Sequence, residues 1–308
     1  MVKKSYDVPI LYMIFNRPAE TRRSFEAIRN IKPRKLFISS DAPRRNNKKD
    51  KIYNDEVKRI VSKIDWPCKV KRLYRSKNLG CKLCCTSAVT WFFKNVEKGI
   101  IIEDDCLVSE DFFRYMKEIL EKYRNDERVM HVAGDNFLNG WRRDEYSYYF
   151  SKYPFMWGWG TWRRAWAKYD INTKLYPEIK RKGYFKDLYR NWRDIKTITS
   201  NLDLTYYKNF DTWDYQWVFS IMINNALVVV PNKNLVQNIG FENTATHTKY
   251  SLDNEFHLPL EKIKFPLKHP PYVIRDHESD RRYSKWLWKI KLRNFFLKKS
   301  GLLNLYKA

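Results

Sequence analysis

Three consecutive acidic residues, Glu103, Asp104 and Asp105, directly follow three consecutive isoleucines. Strand alternation would bury at least one of these carboxylates, which is costly unless a cation lies beside it. A divalent metal is the simplest such cation, held by one carboxylate while phosphate oxygens and water fill its other positions. The alternative is a solvated loop that leads into a helix beginning after Ser109. The triplet therefore points to a nucleotide-diphosphate site or to a helix N-terminus.

Two further polar residues follow apolar segments of strand length. Arg17 comes after the run 8–15, and Asp41 comes after the run 36–39. Ligands of parallel α/β sheets bind beyond the carboxyl ends of the strands. We therefore expect Arg17, Asp41 and the acidic triplet to converge on one crevice.

The elements that must position these residues alternate along the first half of the chain. Continuous apolar runs typical of buried strands are separated by segments with helical periodicity, as at Val57, Ile60, Val61 and Ile64. The resulting order, βαβαβαβ, predicts a mainly parallel sheet with helices on both faces and right-handed crossovers. A helix over 112–123 and a strand over 129–133 follow, and the pattern then becomes irregular and aromatic.

Segments of this sequence resemble the GT-A glycosyltransferases. The stretch IIEDDCLVSEDFFRYMKEIL at 101–120 is similar to their metal-binding segment, especially in the animal N-acetylglucosaminyltransferase that begins complex N-glycans and its bacterial glycosyltransferase-2-like relatives. Five further segments resemble that family in the same order: VPILYMIFNRPAETRRS at 8–24, ISSDA at 38–42, NLGCKLCCTSAVTWFF at 78–93, PFMWGWGTWRRAW at 154–166 and TWDYQW at 212–217. The resemblance implies a GT-A fold, an α/β architecture whose Rossmann-like mixed, mainly parallel sheet is flanked by helices.

Carried over position by position, the resemblance implies a donor site. Arg17 would meet the diphosphate of a nucleotide sugar, and Asp41 would contact its base or ribose. Glu103 and Asp104 would face the ribose and the donor sugar. Asp105 would hold a metal ion, Mn²⁺ or Mg²⁺.

The same comparison makes Asp214 the general base. A carboxylate within hydrogen-bond reach of an acceptor hydroxyl helps to remove its proton at neutral pH. This sequence departs from the family, however, because the Asp-Asp pair that follows Trp is here Asp214-Tyr215. If the base corresponds to the second position of that pair, Asp135 or Asp211 becomes the candidate.

Three residues are predicted to bind the acceptor, and a histidine is predicted to assist the metal. The resemblance places Trp157, Trp159 and Asp135 at the acceptor site and His247 on the metal or diphosphate. The aromatic residues and the histidine have alternative interpretations. Tryptophans also pack in hydrophobic cores without contacting a ligand, and a lone histidine is often only a hydrogen-bonded structural residue.

The implied activity is metal-dependent transfer of a hexosyl or N-acetylhexosaminyl group from a nucleotide diphosphate donor, UDP being the expected nucleotide. The acceptor would be a glycan or lipid-linked molecule in cell-surface polysaccharide synthesis, and the reaction would invert the anomeric carbon. We expect 1–135 to form the nucleotide-sugar-binding half, 136–250 the acceptor-binding half of the same domain, and 251–308 a basic C-terminal helical extension.

The chain is strongly basic, with 60 Lys and Arg against 35 Asp and Glu, a net charge of +25. Nine basic residues and no acidic residue lie within 281–308. As a helix this segment carries two apolar stripes, Trp288 with Leu292 and Phe295, and Trp286 with Ile290 and Leu297. One stripe is predicted to pack on the catalytic domain while the other lies in an anionic membrane surface. A basic helix docked on the core and otherwise in water is the alternative.

Two other classes of function remain open. A nucleic-acid-binding protein would also use the positive charge and the interleaved aromatic residues. The acidic triplet argues against that class, because carboxylates in the main crevice repel a phosphate backbone, so we expect no nucleic-acid partner. A sugar-binding protein without transferase activity is the third class.

The sequence also indicates a compartment. No apolar run approaches the roughly 20 residues that cross a bilayer. The five cysteines are odd in number and four of them cluster within 81–106, which fits a reducing cytoplasm better than a disulfide framework. We therefore expect a cytoplasmic protein, peripheral on the inner face of the cytoplasmic membrane.

Overall fold

The structure is a computed structural model that describes residues 6–189, 191–240 and 256–299, with side-chain surroundings up to 296. Strands and helices alternate through the first part of the chain: β1 (Ile10–Ile14), α1 (Pro18–Ile31), β2 (Lys35–Ser40), α2 (Lys48–Ser62), β3 (Lys69–Tyr74), α3 (Gly80–Asn95) and β4 (Lys98–Glu103). The predicted βαβαβαβ order is confirmed.

The remaining elements are shorter and less regular, and they fall in two groups. The first runs to the end of the fifth helix: β5 (Cys106–Val108), α4 (Glu110–Lys122), β6 (Val129–Ala133), β7 (Tyr148–Ser151), β8 (Trp159–Trp162) and α5 (Arg163–Trp166). The second is mainly helical: α6 (Tyr176–Lys182), α7 (Phe185–Leu188), α8 (Trp192–Tyr207), α9 (Asp214–Ile223), β9 (Leu227–Pro231), β10 (Val236–Asn238) and α10 (His277–Lys299).

Eight strands form one sheet in the order β3-β2-β1-β4-β8-β6-β9-β7. The first four of these strands are parallel, with Ile10 of β1 opposite Leu36 of β2 and Ile100 of β4. Strand β8 is antiparallel to both β4 and β6, and β7 is antiparallel to β9. The predicted fold class is therefore confirmed: a mixed, mainly parallel, Rossmann-like sheet flanked by helices.

Local sequence explains where the helices beside the site begin and how they pack. Pro18 occupies the first turn of α1, where its missing N–H is not needed. Ser109 caps α4 by accepting the Phe112 N–H at 3.2 Å. Helix α2 buries Val57 and Val61 in the main core, as its periodicity predicts.

The second half of the chain builds on the same sheet and adds a smaller core. Strands β7, β8 and β9 lie beyond residue 135 and extend the sheet that the first half begins. Helices α6 to α9 enclose a separate cluster of apolar side chains, Tyr176, Phe185, Tyr189, Leu202, Phe219 and Met222.

The described part of the C-terminal extension packs on the main core. Ile263 and Leu267 belong to that core, Trp286 packs against it, and Ile290 is buried. Within the described residues, no helix is both long and apolar enough to cross a membrane.

A buried histidine lies at the centre of the aromatic core. The His131 Nε2 atom lies 2.8 Å from the Phe155 carbonyl oxygen, and the Trp217 indole N–H donates to Nδ1 at 3.1 Å. Both contacts are satisfied by the neutral ring protonated at Nε2. Burial lowers the pKa of His131 to about 3.

This shift makes stability dependent on pH. Because the pKa of His131 is lower in the folded than in the unfolded chain, its contribution is present above about pH 6.5 and is lost as pH falls towards 3. We expect this group to lower the free energy of unfolding by about 2 kcal/mol between pH 7 and pH 5. Urea denaturation at the two pH values should show a shallower dependence in His131→Gln. The exposed His277→Gln variant is the control and should follow the wild type, and equal slopes in all three proteins would contradict the assignment.

Candidate active site

The ends of β1 and β4 meet in a charged cluster. The Arg17 guanidinium lies 3.2 Å from Asp104 Oδ1 and 2.8 Å from Asp105 Oδ2, both measured from Nη1. The Phe15 N–H donates to Asp104 Oδ2 at 2.8 Å. The structure thus brings Arg17 and the acidic triplet together at the carboxyl edge of the sheet.

Two polar residues on the flanking helices hold these strand ends in place. The Ser24 hydroxyl of α1 donates to the Asp104 carbonyl at 2.8 Å. The Asn54 side-chain amide of α2 donates to the carbonyl oxygens of Phe15 at 2.8 Å and Asp41 at 3.1 Å. Neither residue was singled out in the sequence. The available signal was a polar residue on the buried face of an amphipathic helix.

The cluster carries more negative than positive charge. Asp104 and Asp105 are 3% and 8% exposed. Burial raises the pKa of Asp104 to about 6 although the Arg17 charge opposes the shift. Burial and the charge of Asp105 also raise the pKa of Glu103, whose carboxyl accepts no hydrogen bond from the described residues. One guanidinium therefore faces three carboxyl groups, a balance that suits an additional cation.

These residues fit a hard divalent metal. Asp105 Oδ2 accepts from Arg17, while Oδ1 accepts the weak thiol donor of Cys106 at 3.6 Å and keeps coordinating capacity. No three His, Cys, Asp or Glu side chains among the described residues converge into a closed metal cage. Asp105 would therefore hold the ion together with ligand oxygens and water. His247, the other predicted ligand, lies outside the described residues.

The chain passes close to Asp105 a second time, after β10. The Ile239 N–H donates to the Asp105 carbonyl at 2.8 Å. A Cβ atom built on Gly240 would lie 2.5 Å from Asp105 Oδ2, so only glycine leaves the carboxylate in its place. Ile239 and Gly240, the last residues described before position 256, therefore lie beside the carboxylate cluster.

Asp41 lies at the end of β2 and organises the loop before α3. Its carboxylate accepts the backbone N–H groups of Ala42 at 2.8 Å, Leu79 at 3.0 Å and Gly80 at 3.1 Å. Gly80 has a φ of 79°, which a side chain would strain. Asp41 therefore fixes the loop between β3 and α3 at the carboxyl end of β2.

Asp211 links the second half of the chain to the same helix. Its two carboxylate oxygens accept the N–H groups of Cys81 and Lys82, each at 2.8 Å, at the N-terminus of α3. The carboxylate is thereby tied to a helix end, where the dipole also favours it. This geometry is that of a helix cap.

Asp214 is the first residue of α9 and is half-buried. Its Oδ1 atom accepts the Tyr215 N–H at 2.9 Å and the hydroxyl of Thr212. These contacts orient the carboxylate while part of the residue remains open to solvent. The neighbouring Trp213 stacks on Trp159 with ring centroids 5.5 Å apart.

The three predicted acceptor residues have different surroundings. Trp159 is completely buried between the rings of His131 and Trp213, so the prediction that it contacts an acceptor is not supported, and it belongs to the core. Trp157 is half-buried and lies edge-on to Phe137 at 5.3 Å. Asp135 is 1% exposed, its Oδ1 has no hydrogen-bond partner among the described residues, and burial raises its pKa.

No protein-family model matches the chain, and no curated protein matches it in sequence. The chain is similar to the solved structure of mouse xyloside xylosyltransferase 1 in its apo form, with 11% identity, 70% of this chain and 81% of that chain covered, and a TM-score of 0.34. The chain is also similar to 4-diphosphocytidyl-2C-methyl-D-erythritol synthase from Anaerococcus prevotii, with 11% identity, 52% of this chain and 74% of that chain covered, and a TM-score of 0.33. A third similar structure is a UDP-glucose pyrophosphorylase complexed with UDP-glucose, with 12% identity, 47% of this chain and 62% of that chain covered, and a TM-score of 0.26. These likenesses are remote in sequence and in structure.

Proposed function

We propose that this protein is a metal-dependent glycosyltransferase. It would move a hexosyl or N-acetylhexosaminyl group, with inversion, from a UDP-sugar to a glycan or lipid-linked acceptor in cell-surface polysaccharide synthesis. The observation that supports this most is the buried pair Asp104 and Asp105 joined to Arg17 at the strand ends, with carboxylate in excess. Anionic phosphates need cationic partners, and a carboxylate cluster tolerates them only with a metal present.

The donor would lie across the ends of β1 and β4. Arg17 would bind the diphosphate by charge-assisted hydrogen bonds, and Asp105 would hold Mn²⁺ or Mg²⁺. A metal bound there would supply positive charge against the departing diphosphate. Glu103 and Asp104 would receive hydroxyl groups of the ribose and the donor sugar. Asp41 would place the loop around Leu79 against the base or ribose.

The acceptor would approach from the side of α9. Its hydroxyl oxygen would form a bond to the anomeric carbon while the bond from that carbon to the diphosphate oxygen breaks. Asp214 would take the hydroxyl proton, held in orientation by Thr212 and the Tyr215 N–H. Attack opposite the leaving group inverts the anomeric carbon. Trp157, which is half-buried, stays the proposed acceptor-side residue, and Asp135, which is as enclosed as Trp159, would act through its hydrogen bond to the Trp157 backbone.

Nucleotide binding is the direct test. A ligand that binds the folded protein raises its melting temperature by mass action, so UDP should stabilise the protein when Mn²⁺ is present and much less without it. A screen of nucleotide sugars in Mn²⁺ would then identify the donor. The absence of any stabilisation by nucleotides with Mn²⁺ or Mg²⁺ would contradict the proposed function.

Arg17→Ala should weaken UDP binding in Mn²⁺ by about 1.5–3 kcal/mol, the usual range for a hydrogen bond to a charged group. Titration calorimetry on the folded variant measures this difference. Arg275→Ala is a matched control, because Arg275 pairs with the buried Asp280 elsewhere in the structure, and it should keep wild-type affinity. Equal UDP affinity in the wild type and Arg17→Ala would remove Arg17 from the site.

A further inference from the structure

The two apolar stripes of α10 have opposite surroundings. Trp286 stacks on Phe137 with ring centroids 5.2 Å apart, and Ile290 is 3% exposed. On the same side of the helix, the Asp280 carboxylate accepts the Ser151 hydroxyl at 2.6 Å. The stripe that contains Trp286 and Ile290 is therefore part of the core.

The other stripe faces outwards. Leu292, Phe295 and Phe296 are 40%, 60% and 62% exposed. Trp288 lies edge-on to Trp192 of α8 at 5.5 Å, and Trp192 is itself 59% exposed. We call these five side chains, together with Lys285 and Lys289, the α10 surface. Exposed apolar side chains grouped in this way mark an interaction site.

The charge of the α10 surface restricts what can bind it. Lys285 and Lys289 are exposed and make no ion pair with any described residue. The Arg193 guanidinium lies 5.6 Å from the ring centroid of Trp192 and 5.5 Å from that of Trp288. No acidic residue occurs between 281 and 296. Asp194 of α8 does contact the helix, where it accepts the Ser284 hydroxyl. The surface therefore combines exposed aromatic rings with two lysines that form no ion pair among the described residues.

We propose that the α10 surface binds an anionic lipid membrane in the plane of its interface. Aromatic rings are stabilised at the boundary between headgroups and acyl chains, and lysines are stabilised beside anionic headgroups. A nucleic-acid backbone would pair with the lysines but would leave Leu292 and Phe296 in water, so lipid satisfies more of the surface. This inference is independent of the proposed transferase activity.

Co-sedimentation of the full chain with vesicles tests the proposal, at an ionic strength of about 0.15 M. Vesicles of phosphatidylcholine with one third phosphatidylglycerol should retain the protein, and pure phosphatidylcholine vesicles should retain much less. Phe295→Gln combined with Phe296→Gln should lower the partition coefficient at least about tenfold, because two large apolar groups lose their burial. Lys285→Gln combined with Lys289→Gln should lower it by about fivefold for each lysine.

Helix α2 offers a matched control, since Lys48 and Ile52 are also exposed on one helix. Lys48→Gln combined with Ile52→Gln should bind vesicles as the wild type does. The proposal is overturned if the wild type does not bind anionic vesicles or if the α10 variants bind them as well as the wild type does. It is equally overturned if the partition coefficient of the α2 control falls as much as that of the α10 variants. It is also overturned if the α10 substitutions impair retention of RNA or duplex DNA while vesicle binding is unchanged.

Discussion

Asp105→Ala is expected to abolish the effect of Mn²⁺ on UDP binding. In the wild type, UDP affinity should rise strongly when the metal is added. In the variant, titrations with and without Mn²⁺ should give the same affinity, since Asp105 is the proposed protein ligand of the metal. The effect should be large because no closed cage of other ligands exists among the described residues to replace it.

The charged residues that remain in Asp105→Ala distinguish the loss of the metal from the loss of the whole binding site. Arg17 keeps its contact with Asp104 in the variant, so metal-free binding of the diphosphate should be retained or slightly strengthened. Asp280→Ala is the control, because Asp280 is also buried and paired with an arginine but lies far along the chain on α10. An Asp105→Ala protein that still binds UDP more tightly in Mn²⁺ would refute the metal assignment. The same refutation would follow if Asp280→Ala alone lost the metal effect.

Much of the first half of the fold could be predicted from the sequence. Strands β1 and β4 are continuous apolar runs, and such runs bounded by polar residues are typical of buried parallel strands. The strand-end rule also predicted that Arg17 and the acidic triplet would lie together. Both inferences depend on local sequence and on one general property of parallel sheets.

The second half could not be predicted in the same way. Strand β8 has only four residues and pairs between β4 and β6, which are distant from each other in sequence. No local periodicity specifies such a pairing. For the same reason the sequence did not predict that Trp159 is buried. Its burial follows from its place in that central strand and not from its neighbours in sequence.

The hydrogen-bond partners of the site's carboxylates could not be predicted from the sequence either. The sequence offers Asp41, Asp135 and Asp211 as similar carboxylates, yet the structure gives them different surroundings. Asp41 accepts N–H groups from a distant loop, Asp211 caps α3, and Asp135 is buried. Hydrogen bonds between residues far apart in the chain decide these differences, and only the folded structure shows them.

Those differences bear on which carboxylate removes the acceptor proton. A general base must reach the hydroxyl of a bound acceptor and must be ionised near neutral pH. Both oxygens of Asp211 already accept helix N–H groups. Burial raises the pKa of Asp135, which favours its protonated form. Asp214 is half-buried at the start of α9, so it is more accessible than Asp135, and unlike Asp211 it does not hold the N-terminus of α3.

Asp214→Asn should therefore keep donor affinity and lower kcat by roughly 10²- to 10⁴-fold, the usual contribution of a positioned base. Asparagine has nearly the same size and can still accept the Tyr215 N–H, so α9 should keep its start. The measurement requires single-turnover and steady-state rates with the donor identified by the nucleotide-sugar screen, together with UDP titration in Mn²⁺. Asp211→Asn is the control and should change kcat far less, because its carboxylate acts on α3 and not on the acceptor. Near-normal turnover by Asp214→Asn, or a larger loss of kcat in Asp135→Asn at unchanged donor affinity, would move the base to another residue.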